Sequence, residues 1–246
     1  MKMLYLVRHA KAVSRDLNLK DFDRALVKKG KNDAQKMAEN FINHNSEVEL
    51  LVSSPAKRAL STAKIFAKTL KYPSREIQLE EKIYSHNSAE SLLDVVRSVD
   101  DKYDSVMVFG HDPGFSEFAR FLAKDFQDSM SKSAVVGFKL NNNSWGKISK
   151  SRGQVVFYDY PNKEKKKWQK MSAQLEDRIV QQLTNTFQEL NGEAANTMGK
   201  PIKKASEKLT QKFIKRLKSL PHEESTTRLS ATKQPNQETE STSVRK

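Results

Sequence analysis

Three short polar segments of this sequence carry side chains suited to chemistry on a phosphoryl group. Arg8 and His9 form the first segment, Arg58 lies in the second and His111 in the third. A neutral imidazole attacks phosphorus without first losing a proton from a poor acid, and arginines supply paired donors to the oxygens of the transferring group. The four side chains together therefore favour a phosphoryl-transfer site with a histidine nucleophile.

Each of these segments follows a short apolar run that is typical of a strand buried on both faces. The three runs are residues 3–7, 48–52 and 105–109. Ligands of open α/β sheets bind outside the carboxyl ends of the strands, so parallel neighbours would bring the three segments to one site. Pro55 suits the first turn of a following helix, and a second helix start near Gly114 would add backbone N–H groups and a positive dipole end.

The apolar spacing between these strands predicts helices at residues 30–42, 55–70, 88–99 and 115–123. Further strands are expected at residues 77–79, 134–140 and 154–158. This alternation of helices and strands predicts an α/β fold, a three-layer α/β/α sandwich with a mainly parallel central sheet.

The composition changes near Pro161. Residues 162–246 contain 18 Lys and Arg against 10 Asp and Glu, and so hold +8 of the net charge of +14. Apolar residues at 168–190 and again at 202–220 recur with helical spacing, whereas the segment after Pro221 has almost none. We predict a catalytic domain at 1–161, a basic helical extension at 162–220 and a disordered tail at 221–246.

Composition also excludes several kinds of site. The chain has no cysteine, which rules out disulfides, zinc–thiolate sites and a cysteine nucleophile. The apolar run near the N-terminus ends at Arg8, short of the roughly 7–15 residues of a signal peptide, and no run approaches the roughly 20 of a membrane span. We expect a cytoplasmic protein.

The three segments resemble, in order, the signatures of the histidine phosphatase superfamily. Residues 6–10 resemble its Arg-His-Gly motif with Ala10 in place of glycine, residues 53–63 resemble the second signature and residues 108–114 the third. The chain looks most like the SixA-like phosphohistidine phosphatases, to which residues 8–12, 23–30 and 133–134 are also similar. The resemblance covers roughly residues 3–161 and implies a phosphoglycerate mutase-like fold.

The resemblance implies roles for individual residues and no metal or other cofactor. His9 would be the phosphorylated nucleophile, and Arg8, Arg58 and His111 would bind the phosphoryl group. Many members carry a proton-donating acid in a longer insert; here that region is short, and its best match is Glu81. A solvated acidic loop is an equal interpretation of Glu81, since the nitrogen leaving group of a phosphohistidine departs readily.

Three other charged residues lie near these motifs, at Lys11, Lys57 and Asp112. Lys11 and Lys57 would attract anionic substrates, although such lysines are more often solvated charges. A carboxylate at Asp112 would repel phosphate unless it points away.

The resulting prediction is a SixA-like phosphohistidine phosphatase whose substrate is a phosphohistidine protein of a phosphorelay or phosphotransfer system. A short insert leaves the site uncovered, which suits a side chain presented by another protein. The first alternative is a phosphomonoesterase or phosphotransferase acting on a small metabolite. The second is a scaffold or anchoring protein that acts through its basic tail.

The basic helices carry their own set of expectations. They would pack on the core or on another copy, or contact a partner protein or an anionic surface. No recognised nucleic-acid motif is visible in the sequence, so we expect no nucleic-acid partner. The oligomeric state is not predicted.

Overall fold

The computed structural model describes residues 1–15, 19–44, 47–150 and 153–220. The chain divides into two compact units, Met1–Lys163 and Glu164–Lys246. The tail predicted to be disordered, residues 221–246, lies outside the described residues.

The first unit is built on a six-stranded sheet with the spatial order β3-β2-β4-β1-β5-β6. The strands are β1 (Lys2–Arg8), β2 (Leu50–Ser53), β3 (Gln78–Leu79), β4 (Ser105–Gly110), β5 (Val135–Leu140) and β6 (Gly153–Asp159). All neighbouring pairs among β1 to β4 are parallel, whereas β5 runs antiparallel to both β1 and β6. Five of the six strands therefore point the same way, and the mainly parallel sheet is confirmed.

Helices cover both faces of this sheet, because its buried strands are apolar on both sides. They are α1 (Lys28–Ile42), α2 (Lys57–Thr69), α3 (Lys82–Ser85), α4 (Ala89–Arg97) and α5 (Gly114–Leu122). Along β1, Leu4 and Leu6 enter the core formed with α3, α4 and α5, and Tyr5 and Val7 enter the core formed with α1 and α2. The result is the expected three-layer sandwich.

Some local predictions were wrong in detail. Pro55 precedes α2 and does not lie in its first turn, because Ala56 still has extended backbone, with φ −55° and ψ 130°, and acts as the N-cap. The Ala56 carbonyl accepts the first helical hydrogen bonds, from the N–H groups of Ala59 and Leu60. The short helix α3 was not predicted at all. Ser88 is the N-cap of α4, since its hydroxyl accepts the Ser91 N–H at 3.3 Å.

The described residues of the second unit fold as helices. These are α6, which begins at the junction of the two units (Lys163–Leu190), α7 (Gly192–Thr197) and α8 (Gly199–Lys218). A helix at α7 was not predicted in this breaker-rich segment; the Asn191 side chain starts it by accepting the Ala194 N–H at 2.9 Å. Within the described part of the chain, no helix is long and apolar enough to cross a membrane.

Candidate active site

The carboxyl ends of β1, β2 and β4 meet at one edge of the sheet. Strand β4 lies between the other two. The His9 N–H donates to the Gly110 carbonyl and the Ser54 N–H to the Phe109 carbonyl, each at 2.9 Å. These main-chain hydrogen bonds extend the pairing past the strand ends, so the three polar segments share one site.

The segments line a cavity of about 500 Å³. All four residues predicted for the phosphoryl site, Arg8, His9, Arg58 and His111, lie in its wall. The described lining residues include six basic side chains and one carboxylate: Arg8, Lys11, Arg15, Arg24, Arg58 and Lys132, with Asp112. This excess of positive charge suits an anionic ligand.

His9 is buried, with 7% of its surface exposed. Its Nδ1 lies 2.8 Å from the Ala10 carbonyl oxygen, which can only accept a hydrogen bond. The neutral ring therefore carries its hydrogen on Nδ1 and a lone pair on Nε2. Burial, reinforced by the positive charges of Arg58 and Arg8, lowers the pKa of His9 to about 3. At neutral pH the ring is uncharged, and the lone pair that can act as a nucleophile lies on Nε2.

Arg58 connects His9 to an acidic anchor. Its Nε donates to Nε2 of His9 at 3.3 Å, while its Nη2 pairs with the Asp21 carboxylate at 2.8 Å. The same carboxylate pairs with Arg24 at 2.8 Å and accepts the Tyr84 hydroxyl at 3.4 Å. Although burial raises the pKa of Asp21, Arg58 and Arg24 hold it below its ordinary value. Asp21 therefore stays ionised and fixes two arginines at the cavity.

Arg8 enters the cavity from the end of β1. Its Nη1 donates to the Met130 carbonyl at 2.5 Å and lies 3.4 Å from Oδ2 of Asp112. The other oxygen of Asp112 accepts the Ser116 hydroxyl at 2.6 Å. The carboxylate that would repel phosphate is thus paired with an arginine. The buried Nε of Arg8 has no hydrogen-bond partner within the described part of the chain.

His111 lies beside His9, with the two ring centroids 5.1 Å apart. Its Nε2 is 2.8 Å from the Ser54 hydroxyl, which also accepts the Ala56 N–H at 3.3 Å. Burial, followed by the charges of His9 and Arg58, lowers the pKa of His111 to about 3. When Ser54 donates to Nε2, the neutral ring carries its hydrogen on Nδ1, an atom without a partner among the described residues. His111 can then act as an uncharged donor.

Glu81 is placed differently from the other predicted residues. It is exposed, it caps α3, and it is not among the described residues of the cavity wall. Its role as an acid stays a prediction. The described residues also contain no group of three or more His, Cys, Asp or Glu arranged to hold a metal ion.

No role was predicted for Asp21, Arg24 or Tyr84. Arg24 lines the cavity, and its Nη1 donates to the Val13 carbonyl at 3.0 Å. The available signal was a charged segment, residues 20–24, between the first strand and the first helix. That segment has no strand or helix periodicity, so nothing in it indicates that it folds back onto Arg58.

Part of the chain is similar in sequence to known proteins. Residues 4–87 match the sequence profile of the histidine phosphatase superfamily, branch 1. An uncharacterized chloroplastic protein of Arabidopsis thaliana is 30% identical over 129 residues, which make up 50% of this chain and 59% of that protein. The chain thus spans less than two thirds of that relative's length.

Two solved structures share the fold. A candidate phosphohistidine phosphatase SixA from Agrobacterium tumefaciens matches with a TM-score of 0.55 and 21% identity, covering 65% of this chain and 98% of its own. The protein histidine phosphatase SixA complexed with tungstate matches with a TM-score of 0.55 and 19% identity, covering 65% and 97%. At these identities the likeness establishes the fold alone.

Proposed function

We propose that this chain is a member of the histidine phosphatase superfamily, whose profile its residues 4–87 match, and that it hydrolyses phosphoryl groups through a covalent phosphohistidine on His9. One observation carries the proposal. Nε2 of His9 is buried, unprotonated at neutral pH and directed at Arg58 in a strongly basic cavity. The nucleophile and the arginines that would bind the phosphoryl oxygens thus lie in the wall of the same cavity.

In the first step, Nε2 of His9 forms a bond to phosphorus as the bond to the leaving group breaks. The Nε–H of Arg58, which donates to Nε2 of His9 in the free protein, then donates to a phosphoryl oxygen instead. Arg8 and the Nδ1–H of His111 supply further donors to the developing charge. In the second step, water attacks the phosphohistidine, inorganic phosphate leaves and the neutral imidazole is restored.

The substrate we propose is a phosphohistidine protein of a phosphorelay or phosphotransfer system in the cytoplasm. Asp112 is the single carboxylate among the described lining residues, and it is already paired with Arg8. A sugar or serine ester leaves as an alkoxide and needs a proton donor, whereas the imidazole of a phosphohistidine is a far better leaving group. The neighbour solved with tungstate, a tetrahedral oxyanion, is itself named a protein histidine phosphatase, which supports the same class.

Substrate class is tested by comparing phosphate release from three substrates by the purified full chain. We expect kcat/KM on a phosphohistidine protein to exceed that on a phosphoserine peptide and on a sugar phosphate by roughly 100-fold or more, since only these alkyl esters require an acid. Equal turnover of all three would favour the small-ester alternative and remove the proposed substrate class.

The nucleophile is tested separately, by trapping the phosphoenzyme. The trapped group should be acid-labile and base-stable, and His9→Gln should not form it. The matched control is His86→Asn, because His86 is exposed and does not line the cavity. A phosphoenzyme that persists in His9→Gln would refute the mechanism, whatever the substrate.

A further inference from the structure

Helix α8 carries an unusual concentration of positive charge. Its 20 residues contain eight Lys or Arg and one Glu. Residues 164–220 as a whole contain 13 Lys and Arg against six Asp and Glu, so the excess of +7 in this segment equals that of α8 alone. A functional explanation of the basic extension must therefore explain α8.

The apolar side chains of α8 do not all lie on its buried side. The buried residues recur every four positions, at Ile202, Ser206, Thr210 and Ile214, and form a narrow stripe. Leu209 is nevertheless 56% exposed and Phe213 is 48% exposed. Each precedes a buried residue by one position, which is a rotation of about 100° around the helix axis. The two exposed side chains thus form a second apolar strip, one turn apart, along one edge of the buried stripe.

Basic residues flank the second strip on the side away from the buried stripe. Lys208 and Lys212, for example, precede Leu209 and Phe213 by one position. This is a further rotation of about 100° in the direction that leads away from the buried stripe. The flanking basic residues are all exposed, and they are Lys204, Lys208, Lys212, Lys215 and Arg216. Glu207, the one acidic residue of α8, lies on the opposite side of the apolar strip. The exposed surface is therefore an apolar strip beside an uninterrupted cationic one.

We propose that this surface of α8 docks on an anionic lipid membrane. An interfacial helix places its apolar side chains at the boundary between headgroups and acyl chains, and its lysines reach the anionic headgroups. Leu209 and Phe213 match the first requirement and the cationic strip matches the second. The phosphate backbone of a nucleic acid would bind the cationic strip, but it provides no apolar environment for Leu209 and Phe213. The pairing of the two strips thus favours lipid.

The proposal is tested by sedimenting the full chain with vesicles. One set contains phosphatidylcholine and phosphatidylserine in a two-to-one ratio, and the other contains phosphatidylcholine only. We expect the chain to pellet with the first set and stay in solution with the second, and high salt to release it because exposed charges are screened. Equal binding to both sets, or to neither, would overturn the proposal.

Variants separate the two strips. Leu209→Gln with Phe213→Gln keeps the charge and should weaken vesicle binding by roughly tenfold or more. Lys208→Gln with Lys212→Gln keeps the apolar strip and should weaken it by roughly 30-fold. The matched control, Lys165→Gln with Lys170→Gln, removes the same charge from exposed positions of α6 and should change binding less than about threefold. Circular dichroism establishes that each variant keeps its helix content.

Two outcomes would count against lipid. Full vesicle binding by the Leu209→Gln and Phe213→Gln variant would show that the apolar strip plays no part. Binding of single-stranded DNA that survives this variant, in a chain that ignores vesicles, would assign α8 to nucleic acid instead. Neither measurement requires phosphatase activity, so the result is independent of the function proposed for the first unit.

Discussion

The Nε of Arg58 donates a hydrogen bond to Nε2 of His9 over 3.3 Å. The lone pair that must attack phosphorus is therefore engaged by the same arginine that would hold the phosphoryl oxygens. The guanidinium is itself held at its far end by Asp21, at 2.8 Å. An arriving phosphoryl group can take over the Nε hydrogen without moving the arginine, and this frees the nucleophile at the moment it is needed.

We expect Arg58→Lys to lower kcat/KM by on the order of 100-fold, because a lysine cannot bond Asp21 and the phosphoryl group at the same time. The rate of phosphoenzyme formation under single-turnover conditions measures this loss directly. Lys57→Gln is the control, since Lys57 is the exposed neighbour of Arg58 and lies outside the cavity wall; it should stay within about twofold of the parent. Parent-like phosphoenzyme formation by Arg58→Lys would disprove this reading of the contact.

The two buried histidines make stability depend on pH. Both have a pKa of about 3 in the folded chain against an ordinary value of 6.5. Between these values the unfolded chain binds protons that the folded chain does not, so the free energy of unfolding falls as pH drops below 6.5. Each histidine contributes a slope of up to about 1.4 kcal/mol per pH unit, and contributes none above pH 6.5.

Urea unfolding at pH 7 and pH 5 measures this slope. His9→Asn and His111→Asn should each flatten the dependence by up to about 1.4 kcal/mol per pH unit, whereas His86→Asn, at an exposed position, should not. Ring chemical shifts from NMR provide a second readout. A midpoint near pH 6.5 for either buried ring in the free protein would be incompatible with this explanation.

The parts of the site that could be predicted are those tied to strands. Arg8, His9 and His111 lie within two residues of the ends of continuous apolar runs, and such runs indicate buried parallel strands whose ends share an edge. The start of α2 was misplaced by two residues, because the choice between Pro55 and Ala56 depends on backbone angles that composition does not determine. Arg58 nevertheless lies in α2, within the range that was predicted as a helix.

The parts that could not be predicted are those held by tertiary contacts. Asp21 and Arg24 lie in a stretch with only a short 3-10 turn, Asp21–Asp23. Their positions are determined by the ion pairs of Asp21 with Arg24 and with Arg58, which is 37 residues from Asp21 along the chain. Hydrophobic periodicity carries no information on such pairs. The conformation of this loop therefore had to come from the structure.

Gly30 is expected to be intolerant of alanine although it lies inside α1. Alanine normally stabilises a helix interior. Here a Cβ would stand 2.1 Å from the carbonyl oxygen of Lys11, which also accepts the Val27 N–H at 3.0 Å. We expect Gly30→Ala to lower the free energy of unfolding by about 2 kcal/mol and to lower activity, because the displaced Lys11 segment lines the cavity.

Gly199→Ala is the control for that substitution. Nothing lies within 4 Å of a Cβ at this helical position, so stability should stay the same or rise slightly. Urea unfolding and phosphate release are measured on both variants. If Gly30→Ala were as stable as Gly199→Ala, the close approach of Lys11 to α1 would not hold in solution.

Glu81 and Asp112 provide a contrast between an exposed carboxylate and one in the cavity wall. We expect Glu81→Gln to change kcat/KM less than about twofold on both phosphohistidine and ester substrates, because a general acid must lie within hydrogen-bond reach of the leaving group. Glu81 is exposed and does not line the described cavity. Loss of ester hydrolysis alone in Glu81→Gln would instead make Glu81 the acid, brought to the site by movement of α3, and would extend the substrate range to phosphomonoesters.

Asp112→Asn keeps an acceptor for Ser116 but removes the charge 3.4 Å from Arg8, so inorganic phosphate should inhibit this variant more strongly.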